Sequence, residues 1–233
     1  MDLKFSIILP IHNEEINAKK LIEEILELYP EDNYEIIAVN DKSTDNTLEM
    51  LEEIDSNKLK IITHQNNMGQ SAAMITGAEN CNSDICVFLD GDGQNDPQYI
   101  GNMIKLLEMS NSDIKLVIGE RTDRQHTVSK KIQSAFGNWI RNLLLGDGCR
   151  DSGCGLKIVY KKEFLKLHRL NNLHRFIPYM LKIQGYRFLH YQIKDRPREY
   201  GVSHYNIFKR LTSVLETYIC FLLWFVTANL RIK

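Results

Sequence analysis

Residues Cys86–Pro97 read CVFLDGDGQNDP, an apolar run that breaks into a loop dense in acidic and amide side chains. A buried strand is followed at once by Asp90 and Asp92, one residue apart, with Gln94 close behind. Like charges this near raise each other's pKa unless something compensates them. Gly91 lets the chain bend so that both carboxylates face one ion. Carboxylate and amide oxygens are hard ligands, suited to Mg2+ or Mn2+ rather than zinc. Two carboxylates and Gln94 form an incomplete site, of the kind that substrate phosphates finish. The plain alternative is an acidic turn, since DGDG is a common turn composition.

Working outward, the first half of the chain repeats the same grammar. Apolar runs at 4–10, 34–41, 59–65, 84–90 and 114–120 read as strands. Between them Glu15–Tyr29, Thr44–Ile54, Gln70–Asn80 and Pro97–Glu108 carry helical spacing, the second after Ser43 as N-cap and the last with proline in its first turn. Strands alternating with helices predict βαβ units in an α/β fold with a mostly parallel sheet. Ligands of such sheets sit beyond the carboxyl ends of the strands, and every polar cluster in this half follows a strand end.

The second half is less regular. A helix is expected over about 128–145, a glycine-rich, turn-forming stretch at 146–160 running into a strand, a helix near 174–184 and a strand over 186–195. The chain is read as one domain, 1–206, and a C-terminal helix, 207–233.

Bulk properties exclude little. The chain has 233 residues, a net charge of −1, 43% hydrophobic and 25% charged side chains, so no overall field favours nucleic acid as a partner. Five scattered cysteines lack metal-ligand spacing and read as free thiols of a reducing compartment. The N-terminal MDLKFSIILP has too short an apolar run for a signal peptide and reads as the first strand.

Two further clusters accompany the opening one: LPIHNEE (9–15) and VNDKSTDNT (39–47). Each alone reads as helix capping, although capping by Ser43 and Asp45 leaves Asp41 unassigned. Together the three resemble the family 2 glycosyltransferases, whose GT-A fold is a Rossmann-like nucleotide-sugar-binding domain. The resemblance covers residues 5 to about 205. It implies that Pro10, Ile11, His12 and Glu14 lie against the nucleotide base and that Asp41 accepts a hydrogen bond from it. The helix of 66–77, with Gly69, backs the site. Asp90 and Asp92 match the D-x-D motif that holds the metal against the diphosphate.

A narrower resemblance is to the dolichyl- and polyprenyl-phosphate sugar transferases. There LDGDGQNDP is similar to DADLQHPP, which makes Gln94 a metal ligand. GERTDR (119–124) resembles their GSRY segment and puts Arg121 near the phosphates. RDSGCGLKIVYKKEF (150–164) resembles D-x-x-S-G-F-R, carrying over Asp151, Ser152 and Gly153. REYGVSHYN (198–206) resembles R-x-x-G-x-S-K-Y, matching Arg198, Gly201, Ser203 and Tyr205, with His204 in the place of lysine. The Q-x-x-R-W motif of processive synthases is absent, so the resemblance implies inverting transfer of a single sugar.

The residue types suit that chemistry. A divalent cation neutralises charge on a departing diphosphate, and the guanidinium forks of Arg121 and Arg198 match phosphate oxygens. A lipid-phosphate acceptor, contacted by Arg121, Arg198 and Ser203, is already ionised. A hydroxyl acceptor on a glycan or lipopolysaccharide requires a base, for which Asp151 is the candidate. A nucleotidyltransferase and a non-catalytic binding module are the rivals of other classes. Thr217–Leu230 holds fourteen residues without a charge, flanked by Lys209, Arg210, Arg231 and Lys233. It reads as a helix lying on a membrane, with packing into the domain or a second copy, and a true span, as alternatives. Many polyprenyl-phosphate transferases continue here into two membrane helices, whereas this chain stops short of a clear pair. The expected location is therefore peripheral, at the cytoplasmic face of the membrane.

Overall fold

A computed structural model describes residues 4–31, 33–122 and 145–197. The expected helix over 128–145 (all but its last residue), Arg198, Gly201, Ser203, His204, Tyr205 and the 207–233 segment lie outside them.

The strands of the first half form where the apolar runs predict: β1 (Phe5–Ile11), β2 (Tyr34–Asn40), β3 (Leu59–Thr63), β4 (Ile85–Phe88) and β5 (Ile114–Arg121). They alternate with α1 (Glu15–Leu28), α2 (Thr47–Glu52), α3 (Gln70–Glu79) and α4 (Ile100–Glu108). After the undescribed segment come β6 (Lys157–Tyr160), α5 (Lys161–Leu165), α6 (Leu173–Ile183) and β7 (Arg187–Ile193). The seven strands make one sheet in the order β3-β2-β1-β4-β6-β5-β7. All run parallel except β6, which is antiparallel to both β4 and β5.

The period-2 alternation of the strands divides the core into two layers. Ile7, Leu9 and Ile11 of β1 face Leu21, Ile22 and Ile25 of α1 and Met103 and Leu107 of α4. Ile8 faces the other way, into a cluster with Ala73 and Met74 of α3 and Phe176, Ile177 and Met180 of α6. Helices thus cover both faces, as a mainly parallel sheet requires.

Two boundaries differ from expectation for local reasons. Helix α2 starts at Thr47 rather than Thr44, because the Ser43 hydroxyl accepts from the Asn13 amide at 3.0 Å instead of capping. Asp45 accepts from the Thr47 amide at 3.1 Å in its place. The first turn before α4 is a 3-10 turn, Pro97–Tyr99, capped by Asp96, which accepts from the Gln98 amide at 2.9 Å.

Candidate active site

Strand order reverses between β1 and β4, and the carboxyl ends of these two strands open the crevice in which α/β proteins bind ligands. The loops that leave them touch. A Cβ on Gly91 would lie 3.0 Å from Ile11 Cγ1 and 3.4 Å from the Pro10 carbonyl oxygen, so a larger residue would push the loops apart. Because β6 runs backwards, its amino end reaches the same edge. That topology brings the 151–156 turn to Asp90.

On the β1 and β2 side the first two clusters are stitched together. Asn13, held at φ +56°, accepts the Thr44 amide at 2.8 Å, and the Glu14 amide donates to Thr47 Oγ1 at 3.0 Å. His12 is exposed, with Nδ1 2.9 Å from the Asp41 carbonyl oxygen and its ring within 3.3 Å of the Asn67 amide. Pro10 is half-buried and Ile11 buried beneath them. Asp41 itself is only 3% exposed. Its Oδ1 accepts from the Met68 amide at 2.8 Å and faces His64 Nδ1 at 2.8 Å, while Oδ2 accepts from the Gly69 amide at 2.7 Å. Gly69 sits at φ +86° at the mouth of α3, a conformation that glycine adopts without strain. Asp41 therefore fixes the start of α3.

The carboxylate pair lies across the crevice. Gln70, the first residue of α3, donates Nε2 to Asp90 Oδ1 at 2.7 Å. Asp90 Oδ2 fills a slot left by Gly155, where an added Cβ would stand 2.3 Å away. Burial pushes the Asp90 carboxyl above the usual carboxylate range; Lys157 and Arg121 pull it back, and Asp195 and Glu14 push it further up. Asp92 accepts the Gln94 amide on Oδ1 at 3.1 Å and lines a cleft of about 290 Å3 with Lys20, Leu21, Glu24 and Arg196. A larger cleft, about 420 Å3 beside Phe5, Tyr29 and Lys105, opens at the amino end of β1, away from this chemistry.

The third wall is an arginine clamped by two aspartates. Arg121 donates Nε and Nη2 to the two oxygens of Asp151, at 2.7 and 2.9 Å, and Nη1 to Asp195 Oδ2 at 3.4 Å. Burial opposes the guanidinium charge, but the hydrogen bonds and charge of Asp151 outweigh it and hold the arginine's pKa above its ordinary value. Asp151 is 3% exposed and Ser152 7%. Both oxygens of Asp151 are thus engaged by one guanidinium.

Several residues of the site were not singled out by the sequence pattern. Lys157, 2% exposed at the start of β6, donates to the Cys154 carbonyl, and burial depresses its ammonium pKa. A lone lysine inside the four-residue apolar strand KIVY was the available signal. Gln70, Asn95, Asp195 and Arg196 gave no comparable signal, because what defines them is a partner distant in sequence. Among the described residues, no three His, Cys, Asp or Glu side chains converge as a metal site. The oxygen set of Asp90, Asp92 and Gln94, with an Asp90 carboxylate whose neutralisation burial favours, is nevertheless of the type that fits a hard divalent cation.

Comparison with known proteins places this geometry. The profile described as Glycosyl transferase family 2 matches residues 6–166. The dodecaprenyl-phosphate galacturonate synthase of Rhizobium johnstonii is 32% identical over 223 residues, which cover 92% of this chain and 65% of that protein. The undecaprenyl-phosphate 4-deoxy-4-formamido-L-arabinose transferase of Proteus mirabilis is 28% identical over 234 residues, covering 98% and 70%. The chain thus spans about two thirds of the length of these relatives. Among solved structures, glucosyl-3-phosphoglycerate synthase from Mycobacterium tuberculosis, in complex with Mn2+ and UDP-glucose, superposes with a TM-score of 0.70 at 16% identity, covering 94% of this chain and 78% of that one. That likeness concerns the fold, which is GT-A.

Proposed function

Because this chain belongs to glycosyl transferase family 2, we propose that it moves a single sugar from a nucleotide-diphosphate sugar to a polyprenyl phosphate, with inversion. The observation that carries the reading is the meeting, at one sheet edge, of the loops bearing Asp41, the Asp90–Asp92 pair and the Arg121–Asp151 clamp. The acceptor class is supported by the two lipid-phosphate transferases among its relatives.

In this reading Pro10, Ile11, His12 and Glu14 form the floor for the base. Asp41 accepts a hydrogen bond from the base and also holds Gly69 and the start of α3 in place. Asp90, Asp92 and Gln94 would hold Mg2+ or Mn2+, which when bound would offset negative charge on the leaving diphosphate. Arg121 presents a rigid, permanently charged plane toward the acceptor side, and Arg198 and Ser203 are assigned to the acceptor phosphate from the sequence pattern alone. A phosphate monoester is largely ionised near neutrality and attacks without a general base. The hydroxyl-acceptor alternative needs a base, and its candidate, Asp151, is already bonded to Arg121 through both oxygens. The geometry therefore favours the lipid phosphate.

The test incubates the purified chain with Mn2+, undecaprenyl phosphate and radiolabelled UDP- or GDP-sugars, followed by extraction into organic solvent. Label in the organic phase that is reduced at least a hundredfold by Asp92→Ala is the expected result. Label confined to a water-soluble glycan would point to a hydroxyl acceptor. Pyrophosphate released from a nucleoside triphosphate would instead mark a nucleotidyltransferase.

A further inference from the structure

Arg196 lies three residues beyond β7 and matches no motif, yet it touches two separate parts of the fold, the 94–96 loop and α1. Its amide donates to the Gln94 carbonyl oxygen at 2.8 Å. Its Nη1 lies 2.8 Å from Glu24 Oε2 of α1, and its Nη2 lies 2.7 Å from Asp96 Oδ1. Beside it, Asn95 and Asp195 form an antiparallel bridge, and Asn95 Nδ2 donates to Asp195 Oδ1 at 3.2 Å. Asp195 in turn accepts from Arg121. Residues 94–96 are thereby strapped to 195–196 along their length, and the loop concerned is the one that presents Asp90 and Asp92.

We propose that Arg196 is a positioning residue that sets the geometry of the Asp90–Gln94 loop by clamping it to α1 through Glu24 and Asp96; the inference rests on the reading of that loop as the metal site. The Arg196 side chain is 31% exposed and its two carboxylate partners 30% and 20%. Ion pairs so open to water add little to stability, so the clamp's effect is on geometry. A flat fork can bond two carboxylates on different elements at once, which a single ammonium does poorly. Between β4 and Pro97 the loop has no regular structure of its own. Small displacements of groups that hold a reacting centre have large functional effects.

The test measures Mn2+ affinity of the full chain by calorimetry, with UDP and separately with GDP present, together with the thermal midpoint without metal. Arg196→Met should weaken Mn2+ binding about tenfold while lowering the midpoint by no more than about 3 °C. Arg196→Lys should recover part of the affinity, and Glu24→Gln, which removes one arm of the clamp, should lose about threefold. Arg196→Met binding Mn2+ within twofold of wild type overturns the proposal. So does a loss of affinity that tracks loss of thermal stability across the three variants, since a merely structural contact behaves that way. Should Arg196→Met not fold, wild-type Mn2+ affinity in both Arg196→Lys and Glu24→Gln overturns it equally. A wild-type chain that binds no Mn2+ with either nucleotide overturns the metal reading itself, a separate failure from the others.

Discussion

His174, the second residue of α6, has its Nδ1 3.0 Å from Ser71 Oγ, and Arg175 Nε lies 3.4 Å from its Nε2. Burial, followed by the charges of Arg175 and Lys157, holds the ring well below its ordinary pKa. The folded protein therefore keeps this imidazole neutral at a pH where the unfolded chain, with a histidine pKa near 6.5, takes up a proton. Where the unfolded state binds more protons, stability rises with pH. The contribution of His174 is thus intact above pH 6.5 and is lost progressively as pH falls below it. Between pH 7.5 and 5.5 the loss is about 1 kcal/mol for one histidine. Urea unfolding at both values should show this loss in wild type and not in His174→Asn, whose amide takes the place of Nδ1 and does not titrate. Other titrating groups cancel in the comparison. Equal pH dependence in the two proteins would mean that the ring is protonated in the fold.

At the scale of elements, α3 joins the core to the site. Its first residues hold Asp41 and Asp90, while Gly77 lets the helix lie flat on β1: a Cβ there would stand 2.3 Å from Ile8 Cγ2. Ile8 is β-branched and fully buried, so it has little freedom to turn aside. Gly77→Ala should gain about 1 kcal/mol of helix propensity and lose about 1–3 kcal/mol to overpacking. The expected net is destabilisation with weaker nucleotide binding, because the displaced helix carries Gly69 and Gln70 with it. Ile8→Leu in the same chain, which removes the Cγ2 methyl at nearly constant volume, should restore part of both; no rescue would place the strain elsewhere. The same element shows what was legible in the sequence. Apolar period and strand-end polar clusters are local signals, and they located β1–β5, α1, α3 and α4 and the loops of the site. Pairing is not local: nothing in KIVY says that β6 inserts backwards between β4 and β5, and that insertion delivers Gly155 and Lys157 to Asp90. Likewise, Asp41 is engaged by amides 27 and 28 residues away, and Asp151 by an arginine 30 residues back.

For the whole molecule, charge is nearly balanced, with 29 lysines and arginines against 30 acidic residues. Net attraction to an anionic bilayer is therefore not available, and any membrane binding must be local. No helix among the described residues is long and apolar enough to cross a membrane. The sequence concentrates the needed elements in one place: the uncharged stretch Thr217–Leu230 between Lys209, Arg210 and Arg231, Lys233. An apolar stretch with basic ends binds an interface through two additive terms, buried apolar area and about 1 kcal/mol per basic residue near an anionic surface. The two terms separate by salt, since screening weakens the second and not the first. Flotation of the full chain with vesicles containing phosphatidylglycerol should show binding that persists at 0.5 M NaCl but is weakened. Replacing the four basic residues by glutamine should reduce low-salt binding at least tenfold and remove most of its salt dependence. Complete release by salt would assign the attraction to charge alone, and absence of binding at low salt would remove the membrane surface from the proposed reaction. A lipid-phosphate acceptor would then have to be drawn out of the bilayer to reach Asp92.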